Sequence, residues 1–143
     1  MTQVQHSILI NQPIEKVYAF VSDPRNDPQW QTGIIESTVV GDAPIAVGTQ
    51  IKGARTFMGR KLEAVLEVVN LQPNQRFSLK SVKAPFPFTA TYTFSSEGGA
   101  TRIDAILDLE AAGFFKLAEG MLSSSANKEM EQSLATLKSK LES

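Results

Sequence analysis

The stretch INQPIEKVYAFVSDPRNDPQW, residues 10–30, opens on the end of a strand and closes on the chain's single tryptophan. Between them Ile14, Val17, Tyr18 and Val21 recur at spacings of three and four, which puts them on one face of a short helix. Asn11 is of a type that caps helix N-termini with its side chain, and Pro13 suits a first turn, where no amide donor is needed. Asp23-Pro24 stops this helix and can cap a second short one. Asp27-Pro28 adds another break just before Trp30.

Outward from this stretch the period changes from helical to alternating. Upstream, Val4–Ile10 reads as a strand with Val4, His6, Ile8 and Ile10 on one face. Downstream, six runs separated by turn residues read as strands: Ile34–Val40, Thr49–Met58, Lys61–Leu71, Phe77–Val82, Phe88–Ser95 and Thr101–Glu110. Gly41-Asp42-Ala43-Pro44, Gly59, Gln72-Pro73-Asn74, Ala84–Pro87 and Glu97-Gly98-Gly99 supply the reversals. The apolar sets Leu62/Ala64/Leu66/Val68, Phe88/Ala90/Tyr92/Phe94 and Ile103/Ala105/Leu107/Leu109 each alternate with polar residues. Short loops imply antiparallel pairing, and one apolar face per strand implies a sheet covered on one side only. From about Phe114 to Glu142 the pattern is helical, with Met130, Leu134, Leu137 and Leu141 as its stripe and Gly113 and Gly120 near its start.

A one-sided antiparallel sheet must bury its apolar face, and the last helix is the one long amphipathic element available. The expected fold class is therefore α+β: a curved antiparallel sheet of about seven strands wrapped around a long C-terminal helix, with two short helices between strands 1 and 2. A helix across a bent sheet leaves gaps, so a cavity is expected between them. The 143 residues fit one domain, 1–143, and a chain of that size buries roughly 70% of its unfolded surface.

Composition narrows the function classes. Fourteen basic and 15 acidic residues give a net charge of −1, which argues against nucleic acid as the main partner. No run approaches the ~18 apolar residues of a membrane span, and no signal peptide is seen at the N-terminus. With no cysteine, disulfides, thiolate catalysis and thiolate metal sites are excluded, and the expected compartment is the cytoplasm. A single histidine allows no His-rich metal site; no metal and no cofactor are expected. Motifs for phosphate cradling, dinucleotide binding, a nucleophile elbow or a metalloprotease are absent.

The whole chain resembles the START-like, Bet v 1-like helix-grip superfamily, in particular its polyketide cyclase/dehydrase and lipid-transport branch. The resemblance is carried by residues 10–30, the Val47-Gly48-Thr49 lead-in to the third strand, the Gln72-Pro73-Asn74 turn, and GGATRIDAILDLE (98–110) followed by the helix. It implies a fold that binds lipids, hormones, polyketides or other hydrophobic ligands, with a minority of enzymes.

Candidate site residues follow from strand parity. Phe57, Phe77, Phe86, Phe88, Tyr92 and Phe94 form an aromatic set expected to line the cavity, and Trp30 is either part of its mouth or a packing anchor. Arg55 shares a face with Ile51 and Phe57; pointing inward it needs an anionic partner, but a bulge or edge position returning it to solvent is the favoured expectation. Extending the helical stripe backwards reaches Met130, Asn127 and Ser123, and Met121 and Ser125 in this more polar stretch are taken as ligand contacts. The alternative there is a kinked or rotated helix start. His6 is expected to be a satisfied or edge histidine. Asp104, Asp108 and Glu110 read as a solvated face.

The leading expectation is a binding or carrier protein for a hydrophobic small molecule. The alternatives are a cyclase or dehydratase using Arg55, Tyr92 and His6, and an interaction module with a vestigial cavity. No catalytic residue is assigned, and the sequence does not give the oligomeric state.

Overall fold

The computed structural model describes residues 2–110, 116 and 119–143. In chain order these form β1 (Thr2–Ile10), α1 (Ile14–Val21), a 3-10 turn (Pro24–Asn26), α2 (Asp27–Trp30), β2 (Ile34–Val39), β3 (Gln50–Phe57), β4 (Arg60–Gln72), β5 (Arg76–Lys83), β6 (Phe88–Glu97), β7 (Ala100–Leu109) and α3 (Glu119–Glu142). The seven strands make one antiparallel sheet in the order β1-β7-β6-β5-β4-β3-β2. β2 to β7 are joined to their neighbours in sequence, while β1 pairs with β7, from Thr2 opposite Leu109 to Ile10 opposite Thr101.

The sheet is open, and its bend has local causes. Register shifts fall between Ile34 and Glu36 against β3, and at Val65/Leu66 and Val68/Asn70 against β5. An extra residue on one strand bends it and increases its twist. The β3–β4 reversal is a two-residue turn in which Met58 and Gly59 both have positive φ, 52° and 76°, the geometry that matches the twist of the flanking strands.

α3 lies along the inner face. Leu122, Ala126, Leu134, Leu137 and Leu141 are buried. Its C-terminal end is tied to the β1–α1 corner: Gln12 Nε2 donates to the Leu141 carbonyl at 2.7 Å and Lys138 Nζ to the Leu9 carbonyl at 2.7 Å. The Asn11 backbone N–H donates to Glu142 Oε2 at 2.7 Å. These bonds satisfy one of the carbonyls that a helix end leaves without an internal partner.

The core has two parts. One gathers Ile10, Val17, Tyr18, Val21, Phe77, Phe94, Ile103, Leu137 and Leu141 where α1 and the last turns of α3 cover the sheet. The other gathers Val4, Phe57, Leu109, Leu122 and Ala126, with Phe86, Phe88 and Met130 packed on it.

Several expectations change. Asn11 is not the helix cap: the N-cap of α1 is Pro13, with no side-chain cap, and Asn11 is engaged with Glu142 instead. Asp23 does cap the turn after α1, accepting from Arg25 N at 3.1 Å. Asp27-Pro28 does not break the chain but opens α2, since proline is tolerated in a first turn. α3 is described from Glu119; the proposed start at Phe114 and the possible kink at Gly113 lie outside the described residues.

Candidate functional site

Between the sheet and α3 lies a cavity of about 160 Å³, with walls drawn from both core clusters. Strand alternation supplies most of it. Phe57 from β3, Leu62, Ala64 and Leu66 from β4, Leu79 from β5, Phe88, Ala90 and Tyr92 from β6, and Leu107 and Leu109 from β7 all face inward. α3 closes it with Ala126, Glu129, Met130, Ser133 and Leu134, and the β5–β6 loop adds Pro85 and Phe86. Aromatic rings follow the wall: Phe57–Phe86 and Phe86–Phe88 centroids are 6.3 and 6.1 Å apart.

The polar groups are gathered where α2 and the segment after it meet β3 and α3. Arg55 forms an ion pair with Glu129 and donates from Nη2 to the Thr32 carbonyl at 3.1 Å. Thr32 N–H in turn donates to Ser133 Oγ at 2.8 Å. The Arg55 guanidinium also sits 5.3 Å from the Phe57 ring centroid. Trp30 packs edge-on against Tyr92 at 6.0 Å. Gly33 allows this meeting: at φ +86° a Cβ would lie 2.6 Å from the Thr56 carbonyl.

Burial sets the charge states here. Asp27, 5% exposed, has its carboxyl pushed up to about 8 by desolvation, against a hydrogen bond from the Gln31 side chain that favours the ionised form, and with a further rise from nearby Asp23. Tyr92 is held well above the usual phenol range, chiefly by desolvation and then by Asp27, with Arg55 opposing. Glu129 is raised by desolvation against the pull of Arg55. Near neutral pH Asp27 and Tyr92 are therefore an uncharged carboxylic acid and an uncharged phenol, beside the Arg55–Glu129 contact.

Of the candidate site residues, Trp30, Arg55, Phe57, Phe86, Phe88 and Tyr92 line the cavity. Arg55 is not returned to solvent; its partner is the internal acid Glu129. Phe77 is off the cavity. It faces inward opposite Tyr92, but at 1% exposure it is packed in the cluster under α1. Phe94 is likewise covered, edge-on to Tyr18 at 5.0 Å. Met121 is 65% exposed and Ser125 half-buried, both away from the cavity. On α3 the cavity is lined by two adjacent rows, Ala126/Met130/Leu134 and Glu129/Ser133; Met121 and Ser125 continue the second row towards the N-terminus but fall outside the lining. Asn127 is exposed and meets the lone histidine, His6 Nε2, at 2.6 Å, while Ser123 is half-buried.

The acids of the site were missed in the sequence. Glu129 flanks Met130 on the stripe, and an inward Arg55 calls for such a partner. Asp27 carries no comparable signal, because Asp-Pro is ordinary turn chemistry.

The family model described as polyketide cyclase/dehydrase and lipid transport matches residues 1–142. The chain belongs to that family. No curated protein matches the sequence of this polyketide cyclase/dehydrase and lipid-transport family member. Among solved structures, a Thermus thermophilus protein superposes with a TM-score of 0.83 at 21% identity, covering 96% of this chain and 94% of its own. A START superfamily protein from Mycobacterium smegmatis gives 0.81 at 16% identity, covering 98% and 97%. The di-domain ARO/CYC protein BexL gives 0.77 at 18% identity over 99% of this chain and 47% of its own. At these identities the likeness is one of fold. Among the described residues, no helix of this family member is long and apolar enough to cross a membrane.

Proposed function

We propose that this chain binds and carries a small hydrophobic molecule in the cavity between the sheet and α3. The observation that supports this most is the cavity itself: an apolar, aromatic-walled space with its polar groups gathered at one side, the usual make-up of a small-molecule site. A close-packed interior leaves few voids larger than a water molecule, so a space of about 160 Å³ is not a by-product of ordinary packing. Membership of a family described by both cyclisation and lipid transport agrees with this reading. The test is thermal unfolding with increasing toluene as the probe. Saturable stabilisation is expected, about 2.7 kcal/mol at one hundred times the dissociation constant. An unchanged midpoint up to the solubility of toluene counts against the proposal.

A second reading is a cyclase- or dehydratase-type enzyme, and one observation favours it. Asp27 is a buried carboxylic acid with its pKa at about 8, on a cavity wall that also carries Tyr92. Such an acid is poised to donate a proton near neutral pH. Its test is turnover of a polyketide-like substrate by Asp27→Asn and Tyr92→Phe proteins. Unaltered turnover in both removes these roles.

A further inference from the structure

The chain has two tyrosines, and the fold treats their hydroxyls differently. Tyr18 Oη donates to the Arg76 carbonyl at 3.2 Å. Tyr92 faces inward on β6, opposite Phe77 of β5 and Ala105 of β7, and its hydroxyl has no hydrogen-bond partner in the protein. A buried phenol ordinarily finds one. Nor is this hydroxyl walled off. Among the described residues, the buried side-chain atoms that are both enclosed and without a partner are Trp30 Nε1, Arg55 Nε and Asn70 Oδ1. Tyr92 Oη is not one of them, so it adjoins space that a water-sized group can reach. Tyr92 lines the cavity and keeps 8% of its surface exposed.

Its position along β6 explains this. On one side Phe94 is packed edge-on to Tyr18 in the filled cluster; on the other the short side chain of Ala90 leaves the wall open to the cavity. Neighbouring polar side chains of the wall are engaged elsewhere. Arg55 and Glu129 meet each other, Ser133 Oγ accepts from the Thr32 N–H, and Asp27 is met by the Gln31 side chain.

We infer that the Tyr92 hydroxyl donates a hydrogen bond to the ligand of this cavity, and that the ligand is a molecule of about one ring in size with a carbonyl or hydroxyl oxygen at the end that meets Tyr92. This rests on the binding reading above and adds to it a polar contact and a ligand class.

The oxygen follows from the hydroxyl, which carries one hydrogen to donate. A hydrocarbon would take it out of reach of water and leave that hydrogen unmet, a cost that an oxygen acceptor avoids. Burial holds Tyr92 in its protonated, donating form. The size follows from the volume. About 160 Å³ compares with the roughly 150 Å³ apolar cavity that accepts benzene, and falls short of the roughly 300–1,000 Å³ of pockets for larger ligands. The ring follows from the neighbours: Trp30 stands edge-on to Tyr92, and Phe57, Phe86 and Phe88 succeed one another along the wall.

Tyr92→Phe removes the hydroxyl alone and keeps the ring that packs on Trp30. The test titrates the unaltered and Tyr92→Phe proteins with acetophenone and with α-methylstyrene, in which a CH₂ group replaces the carbonyl oxygen; palmitate serves as a long-chain comparison. The preference for ketone over hydrocarbon, read as a ratio of dissociation constants, is expected to fall about fivefold in the variant. The ¹³C signal of carbonyl-labelled acetophenone lies further downfield when bound to the unaltered protein than when bound to Tyr92→Phe. Because the hydroxyl has no partner in the protein, the variant without ligand is expected to unfold at an unchanged or higher temperature. An unchanged ratio, an unchanged carbonyl signal, or tighter binding of palmitate than of acetophenone overturns this inference and leaves the binding reading intact. So does a midpoint several degrees lower in the variant, which would mean that the hydroxyl is bonded within the protein. Failure of all three molecules to bind the unaltered protein overturns both.

Discussion

Arg55 on β3 and Glu129 on α3 form an ion pair across the wall of the cavity, joining the sheet to the helix that covers it. The pair is partly buried, with 33% of the Arg55 side chain and 20% of the Glu129 side chain exposed. Removing one partner leaves the other charge desolvated, whereas removing both does not. Glu129→Met is therefore expected to cost about 1–3 kcal/mol, and the double change Arg55→Met with Glu129→Met less than the sum of the two single changes. Urea unfolding of the four proteins of the cycle checks this; additive losses would show that the pair contributes no coupling.

Asp27 makes stability depend on pH. Its folded-state pKa, about 8, lies above its ordinary value of 3.8. Between these values the folded protein keeps a proton that the unfolded chain releases, so the group lowers stability as pH rises through that window. Asp27→Asn is expected to match the unaltered protein near pH 4 and exceed it increasingly up to pH 8. At roughly 1.4 kcal/mol per pKa unit, the gain at pH 8 is on the order of several kcal/mol. Thermal unfolding at pH 4.5, 6 and 8 reads the trend. A stabilisation that is constant with pH would mean that Asp27 is ionised throughout.

Two inward alanines on neighbouring strands separate cavity from core. Ala90 on β6 faces the cavity, whereas Ala105 on β7 is fully buried in the packed cluster. Ala90→Leu is expected to fill space and leave stability within about 1 kcal/mol, while abolishing toluene binding. Ala105→Leu overpacks and is expected to cost about 1–3 kcal/mol. Equal losses for both would mean that no usable space lies beside Ala90.

Gly33 is expected to tolerate no side chain. Gly33→Ala places a Cβ 2.6 Å from a backbone carbonyl at φ +86°, whereas Gly41, at φ +91°, has no heavy atom within 4 Å of its added Cβ. Gly41→Ala should cost about 1–2 kcal/mol for conformation alone, and Gly33→Ala more than that. Equal unfolding midpoints for the two variants would contradict the close approach.

The seven strands and three helices were legible in the sequence because period-2 runs such as Phe88–Phe94 and Ile103–Leu109 are bounded by strong turn residues. The inward faces were legible for the same reason. The distribution of space inside was not. Phe77 and Phe88 both face inward on neighbouring strands, yet α1 and the end of α3 cover Phe77 and leave Phe88 at the cavity. Strand parity tells inside from outside but not which part of the inside is filled. Nor did the helical stripe show how far along α3 the cavity extends: Ser125 and Glu129 share a face one turn apart, and Glu129 lines the cavity while Ser125 does not. Asp27 was hidden because its distinction is depth, and nothing in an Asp-Pro step encodes depth.

The most direct measurement of the central claim is a two-dimensional NMR titration of the labelled protein with toluene, repeated on Ala90→Leu. Saturable shifts at Phe57, Ala90, Tyr92, Leu107 and Ala126, lost in the variant, are the predicted result. Absence of saturable shifts up to the solubility of toluene, or the same shifts in Ala90→Leu, would contradict a binding cavity between sheet and helix.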